Sequence, residues 1–162
     1  MPSLEGEGIV SRWTETDEKV EITVSAEGLE PHDAALELLV CIGQALWEKA
    51  TPAEYTAWLG LLRTEVEAGV RGEIDDHALR SKHELLSSRT AARSTRRLHT
   101  YAAASFGSTA AEYIHGLWHD VTVRAGPEHL PAAWLRTRIE FMVKFFPPDP
   151  GQRVIAQEQA PV

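Results

Sequence analysis

The densest set of side chains able to do chemistry lies in STAAEYIHGLWHDV, Ser108 to Val121. Glu112, His115 and His119 are there the candidate metal ligands or acid–base groups. The spacing predicts a helix opening at Ser108, with Gly107 ending the helix before it in a left-handed conformation and Thr109 and Glu112 forming a capping box. At about 100° per residue, Ile114, Leu117, Trp118 and Val121 fall on one apolar face. Glu112, His115 and His119 fall on the other side. Two histidines at i and i+4 can address one divalent transition metal, and Glu-x-x-His is a spacing used in di-iron bundles. A dinuclear site needs a second such pair, and the chain has none. The competing reading is a solvated polar face on which Glu112 merely caps.

A metal site here draws its third ligand from His83, His99 or Glu112 and leaves a coordination position open for hydrolytic chemistry. That layout, a two-histidine helix turn plus a histidine on another helix, loosely resembles the DinB-like metal-binding bundles. A second constellation is basic. Arg89, Arg93, Arg96 and Arg97 lie toward the outside of a helix expected over about Thr90 to Phe106, with Ala91, Thr95, Leu98, Ala102 and Phe106 inside. From Ala78 to Thr100 six Lys/Arg face one acid, giving +5, whereas residues 1–30 hold eight acids and two bases, giving −6. Such a face can pair with acidic segments, bind an acidic protein, or hold a phosphate or RNA through arginine forks. Arg93 and His99 have the Arg-x5-His spacing, which loosely resembles the motif of HEPN-type helical ribonucleases, with Ser94 after the arginine. No membership is inferred from seven residues. The overall charge of −8 argues against nucleic acid as the main partner and against an anionic membrane surface.

The elements that must position these groups read as mainly α: a bundle of about five to six helices with a short N-terminal β-hairpin. Residues 1–146 form one domain, and 147–162 a flexible tail behind Pro147, Pro148 and Pro150. The length, 162 residues, suits one core. Ile9 to Thr14 and Lys19 to Ser25 are expected strands joined at Thr16, Asp17 and Glu18. A lone hairpin is marginal in water, so it lies on the helices or, as the second choice, pairs with another copy.

The first helix is expected from Asp33 to about Lys49 and, being apolar on nearly every side from Leu36 to Ile42, is expected to be the most enclosed helix. Thr51-Pro52-Ala53-Glu54 carries a capping box with proline at the first helical position. Tyr55, Trp58, Leu59, Leu62, Val66 and Val70 follow at helical spacing, and Gly69 and Gly72 stop the helix. A shorter helix over about His77 to Ser87 takes Asp76 as N-cap. Its acidic approach, Asp75 and Asp76 with His77 and His83, reads as dipole complement before it reads as metal ligation.

The last helix runs from Pro131 to about Phe146 and is apolar on more than one side. Trp134, Phe141 and Phe145 are the residues expected at a homodimer interface. The single Cys41, in LELLVCIG, reads as a core residue in a reducing, cytoplasmic compartment. No run approaches the roughly 20 apolar residues that cross a bilayer. Phosphate loop, dinucleotide fingerprint, Cys-x-x-Cys and nucleophile elbow are absent from the sequence. The function expected is therefore a non-enzymatic interaction or regulatory module that self-associates. A metal-binding bundle is the first alternative, and an RNA- or phosphate-binding helix the second.

Overall fold

The computed structural model describes residues 11–16, 19–25, 28–87, 90–118 and 125–152, with residues 91–93 described by backbone alone. Strands β1 (Ser11–Glu15) and β2 (Val20–Val24) form an antiparallel hairpin in which Trp13 faces Ile22 and Ser11 faces Val24. Those residues are half-buried while Arg12 and Thr14 are exposed, the period of two that a sheet with one wet face requires. The covered face belongs to helix α1 (Pro31–Glu48), so the hairpin packs within its own chain. Ser11 Oγ donates to Glu37 Oε2 at 2.9 Å, and Lys49 pairs with Glu15.

Helix α1 begins on Pro31, two residues earlier than the spacing suggests, because proline's fixed φ suits the first helical position and its missing N–H is one that a helix start leaves unpaired in any case. Helix α2 (Pro52–Glu67) has the complete capping box: Thr51 accepts from the Glu54 N–H and Glu54 accepts from the Thr51 N–H. Helix α3 (Asp76–Leu86) is capped by Asp75, whose Oδ1 accepts from the Ala78 N–H at 2.7 Å, and not by Asp76. Asp75 keeps the extended backbone that an N-cap needs, whereas Asp76 is already helical.

The main departure is helix α4 (Ala91–Gly116), one rod of 26 residues where two helices were expected. Gly107 is not a terminator. A Cβ there would stand 2.9 Å from the Gln44 side chain, and one on Gly43 would stand 2.7 Å from the Gly107 carbonyl oxygen and 2.8 Å from Ala110 Cβ. The two glycines are the crossing point at which α1 and α4 touch backbone to backbone. Thr109 is helix interior, and its hydroxyl donates to the Ser105 carbonyl at 2.7 Å, so the Thr109–Glu112 capping box does not exist.

From Tyr101 to Ala111 this helix is buried almost all round, and it, not α1, is the most enclosed element. Leu38 in α1 is 41% exposed. Two other expected core positions are surface: Thr95 is exposed, and Trp118, 72% exposed, lies beyond the end of the helix. Val121 lies outside the described residues.

Helix α5 (Ala132–Phe145) closes the bundle against α2 and α4 with Leu135, Ile139 and Met142 buried. Trp58 anchors the core, its Nε1 donating to the Ala102 carbonyl at 3.1 Å with Phe106 and Phe141 edge-on at 5.3 and 5.0 Å. Burial of each such large side chain is worth roughly 1.5–3 kcal/mol. Among the described residues no helix is long and apolar enough to cross a membrane.

Candidate functional site: an acidic cleft over a buried ion network

Arg138 sits in α5 at the centre of the apolar set Leu135, Ile139 and Met142 and is fully buried. An unpaired guanidinium there would be prohibitively unstable, and the neighbouring helices supply its partners. Its Nε and Nη2 donate to the two oxygens of Glu65 at 2.8 and 2.6 Å, and its Nη1 and Nη2 donate to the two oxygens of Glu73, both at 2.8 Å. Tyr101 donates its hydroxyl to Glu73 Oε1, and Lys82 Nζ donates to the same oxygen and to the Gly72 carbonyl, each at 3.0 Å.

Two carboxylates and two cations thus balance inside the protein, joining α2, α3, α4, α5 and the α2–α3 connection. Burial alone would raise the Glu73 pKa, but Arg138, together with Lys82 and Tyr101, overcomes it and holds the carboxyl at about 2. Burial, with the nearby Arg138 charge, lowers the Lys82 pKa although Glu73 opposes it.

The segment carrying Glu73 is clamped on its other side. The Glu73 N–H donates to the Glu128 carbonyl at 2.9 Å, and the Leu130 N–H donates to the Glu73 carbonyl at 3.0 Å, a one-residue parallel bridge. Gly72 passes so close beneath His129 that a Cβ would lie 2.0 Å from the His129 carbonyl oxygen. This clamp forms one wall of an open cleft of about 820 Å³. The second wall is a single face of α1, with Asp33, Glu37, Val40 and Gln44 at successive turns, and the third is Ser108, Ala111 and Glu112 of α4.

Leaving aside the neutralised Glu73, six carboxylates among the described residues line the cleft: Asp33, Glu37, Asp75, Asp76, Glu112 and Glu128. Among the described residues Arg80 is the one lysine or arginine that lines it, with His77 and His129 also in the lining. Burial raises the Asp75 carboxyl above its ordinary pKa, against the hydrogen bond from the Ala78 N–H. Such a concave, predominantly acidic surface concentrates cations.

The residues singled out by sequence are scattered. Glu112 lines the cleft, and half-buried His115, in the last turn of α4, meets the ring of His32 from α1. His119 and Arg89 lie outside the described residues, as does the side chain of Arg93. His83 is exposed on α3. His99 stacks on Tyr55 and hydrogen-bonds to its hydroxyl, and it stands about 24 Å along α4 from His115 at 1.5 Å per residue. The structure therefore does not bring His83, His99 and His115 to one ion. Among the described residues no three His, Cys, Asp or Glu side chains are arranged to hold a metal.

Arg96 is exposed, whereas Arg97 donates from Nη1 to the Glu84 carbonyl at 2.7 Å and satisfies the C-terminal end of α3. Phe141 lies between Trp58 and Phe145 at 5.0 and 4.6 Å, and Trp134 rests on the core. All three of the expected interface aromatics are thus half-covered within the chain. Cys41 is 1% exposed, and burial raises its thiol pKa.

Sequence reasoning passes over Glu65, Glu73, Tyr101, Arg138 and His32. For two of them a signal exists: Glu65 and Arg138 occupy apolar registers, i+3 from Leu62 and i+3 from Leu135. Set against protein-family models, curated proteins and solved structures, the chain matches none of them.

Proposed function

We propose that this chain is a non-enzymatic binding module whose cleft takes a Lys- or Arg-bearing segment of another protein. The observation carrying this reading is the cleft itself, where among the described residues six carboxylates face one arginine along a solvent-open groove of about 820 Å³. The ion network below it is internally balanced and buried, so it serves as a rigid floor and presents no reactive group to a substrate. A ligand with two or three spaced cations would replace the water and counter-ions held there, with affinity that falls as salt rises.

Fluorescence anisotropy with labelled basic, neutral and acidic peptides tests this. The basic peptide is expected to bind alone, at least tenfold more weakly to an Asp33→Lys, Asp76→Lys double variant. Equal binding of the neutral peptide, or an unchanged affinity in the charge-reversed variant, refutes the reading.

The module is also proposed to self-associate, in a cytoplasmic setting that suits its single buried thiol. Support for a homodimer comes from Val20 on the hairpin and Leu38 on α1, which are 40% and 41% exposed. The two-stranded sheet also leaves each strand with an unpaired edge among the described residues. Sedimentation equilibrium should give twice the chain mass, falling to one chain mass in Val20→Lys. A wild-type protein that stays at one chain mass across the concentration range removes the dimer.

A further inference from the structure

The histidine that meets His115 comes from a helix on which the spacing along α4 gives no information. His32 is the second residue of α1 and is exposed, and its ring centroid lies 5.5 Å from that of His115, with the planes at 74°. Metal–nitrogen bonds of about 2 Å put two imidazole centroids that share one ion about 5 Å apart. The separation lies near that of two rings sharing one ion, and the exposed His32 side chain at the start of α1 has room to rotate its ring toward an ion beside His115.

The backbones that carry the rings are held by the Gly43–Gly107 crossing, which fixes how closely α1 and α4 approach. Asp33, next to His32 on α1, and Glu112, about one turn before His115 on α4, belong to the acidic cleft and raise the local concentration of cations.

We propose that His32 and His115 form an interhelical two-histidine site for a borderline divalent transition ion of the zinc class, with water completing its coordination. Imidazole nitrogens select zinc, nickel or copper over magnesium and calcium, which prefer oxygen. With two protein ligands the site is open and exchangeable, unlike the closed four-ligand sites that hold structural zinc. It is independent of whether the cleft takes a basic segment.

The test is a calorimetric titration of ZnCl2 into the full chain, purified without chelator, alongside His32→Ala, His115→Ala and the double variant. Helical content of each variant is verified by circular dichroism. Each single change is expected to weaken zinc binding at least tenfold, the double change to weaken it little further, and MgCl2 to give no binding heat. Imidazole nitrogen NMR of the unmodified chain provides a reading that needs no variant: zinc should shift the ring resonances of both His32 and His115. Absence of zinc binding, an unchanged affinity in either single variant, or a shift at fewer than both rings overturns the proposal.

Discussion

Arg138 places five polar contacts where a leucine would fit the helical pattern, and the consequences follow from what its removal would strand. Arg138→Met keeps the volume and the apolar register but leaves Glu65 and Glu73 buried with Lys82 alone to oppose them. The expected loss is about 3–5 kcal/mol, since breaking a buried ion set exposes the full desolvation penalty of the remaining charges. Urea unfolding at neutral pH measures it. Glu73 gives a second expectation. Its carboxyl is held at about 2 against an ordinary 4.5, so its contribution is complete above pH 4.5 and disappears as the pH falls toward 2. Unfolding free energy should therefore drop by an amount on the order of 3 kcal/mol over that window. Glu73→Gln should be less stable at pH 7 and show a shallower acid slope. At this scale the sequence was only partly legible. A charged residue at an apolar position is visible, but its partners are 73, 65 and 37 residues away along the chain, and nothing local ties them together.

Helix α4 and its crossing with α1 show where a local signal suffices and where a distant neighbour decides. Thr51-Pro52-Ala53-Glu54 acts through bonds three residues apart, so its capping box could be read directly and is present as read. The run AAASFGSTAA has weak hydrophobicity and an apparent stop at Gly107, yet it is the most enclosed stretch, because small side chains let α1 come into backbone contact. Proximity, not flexibility, is the reason for that glycine. Gly107→Ala or Gly43→Ala should each cost about 1–3 kcal/mol through overpacking. Gly60→Ala, on the exposed face of α2 with no atom within 4 Å of the added methyl, should instead stabilise by about 0.5–1 kcal/mol. Thermal unfolding of the three variants separates the two effects by sign. The hairpin, five helices and their order follow from periodicity and caps. The joining of two expected helices into one does not, because it depends on a neighbour 64 positions earlier in the chain.

For the molecule as a whole, Cys41 supplies an internal reporter. It is 1% exposed in the helix that holds both the hairpin and α4, and burial raises its thiol pKa. Under native conditions, labelling with a disulfide reagent should proceed at the rate of global opening, and it should slow or quicken in the glycine and Arg138 variants in proportion to their stability. Rapid labelling of the folded chain would mean that α1 separates from α4 without unfolding, which would also disperse the cleft. The cleft could not be read from sequence because its walls come from three distant segments, although the acidity of each segment is plain. The ion network also imposes an order on biosynthesis. Glu65, Glu73, Lys82 and Tyr101 leave the ribosome before Arg138 does. Until that one side chain arrives, both carboxylates have only Lys82 as a counter-charge and gain more from water than from burial. The nascent α2, α3 and α4 must then remain loosely associated, with their interior wet, and sealing of the core waits on a single late residue.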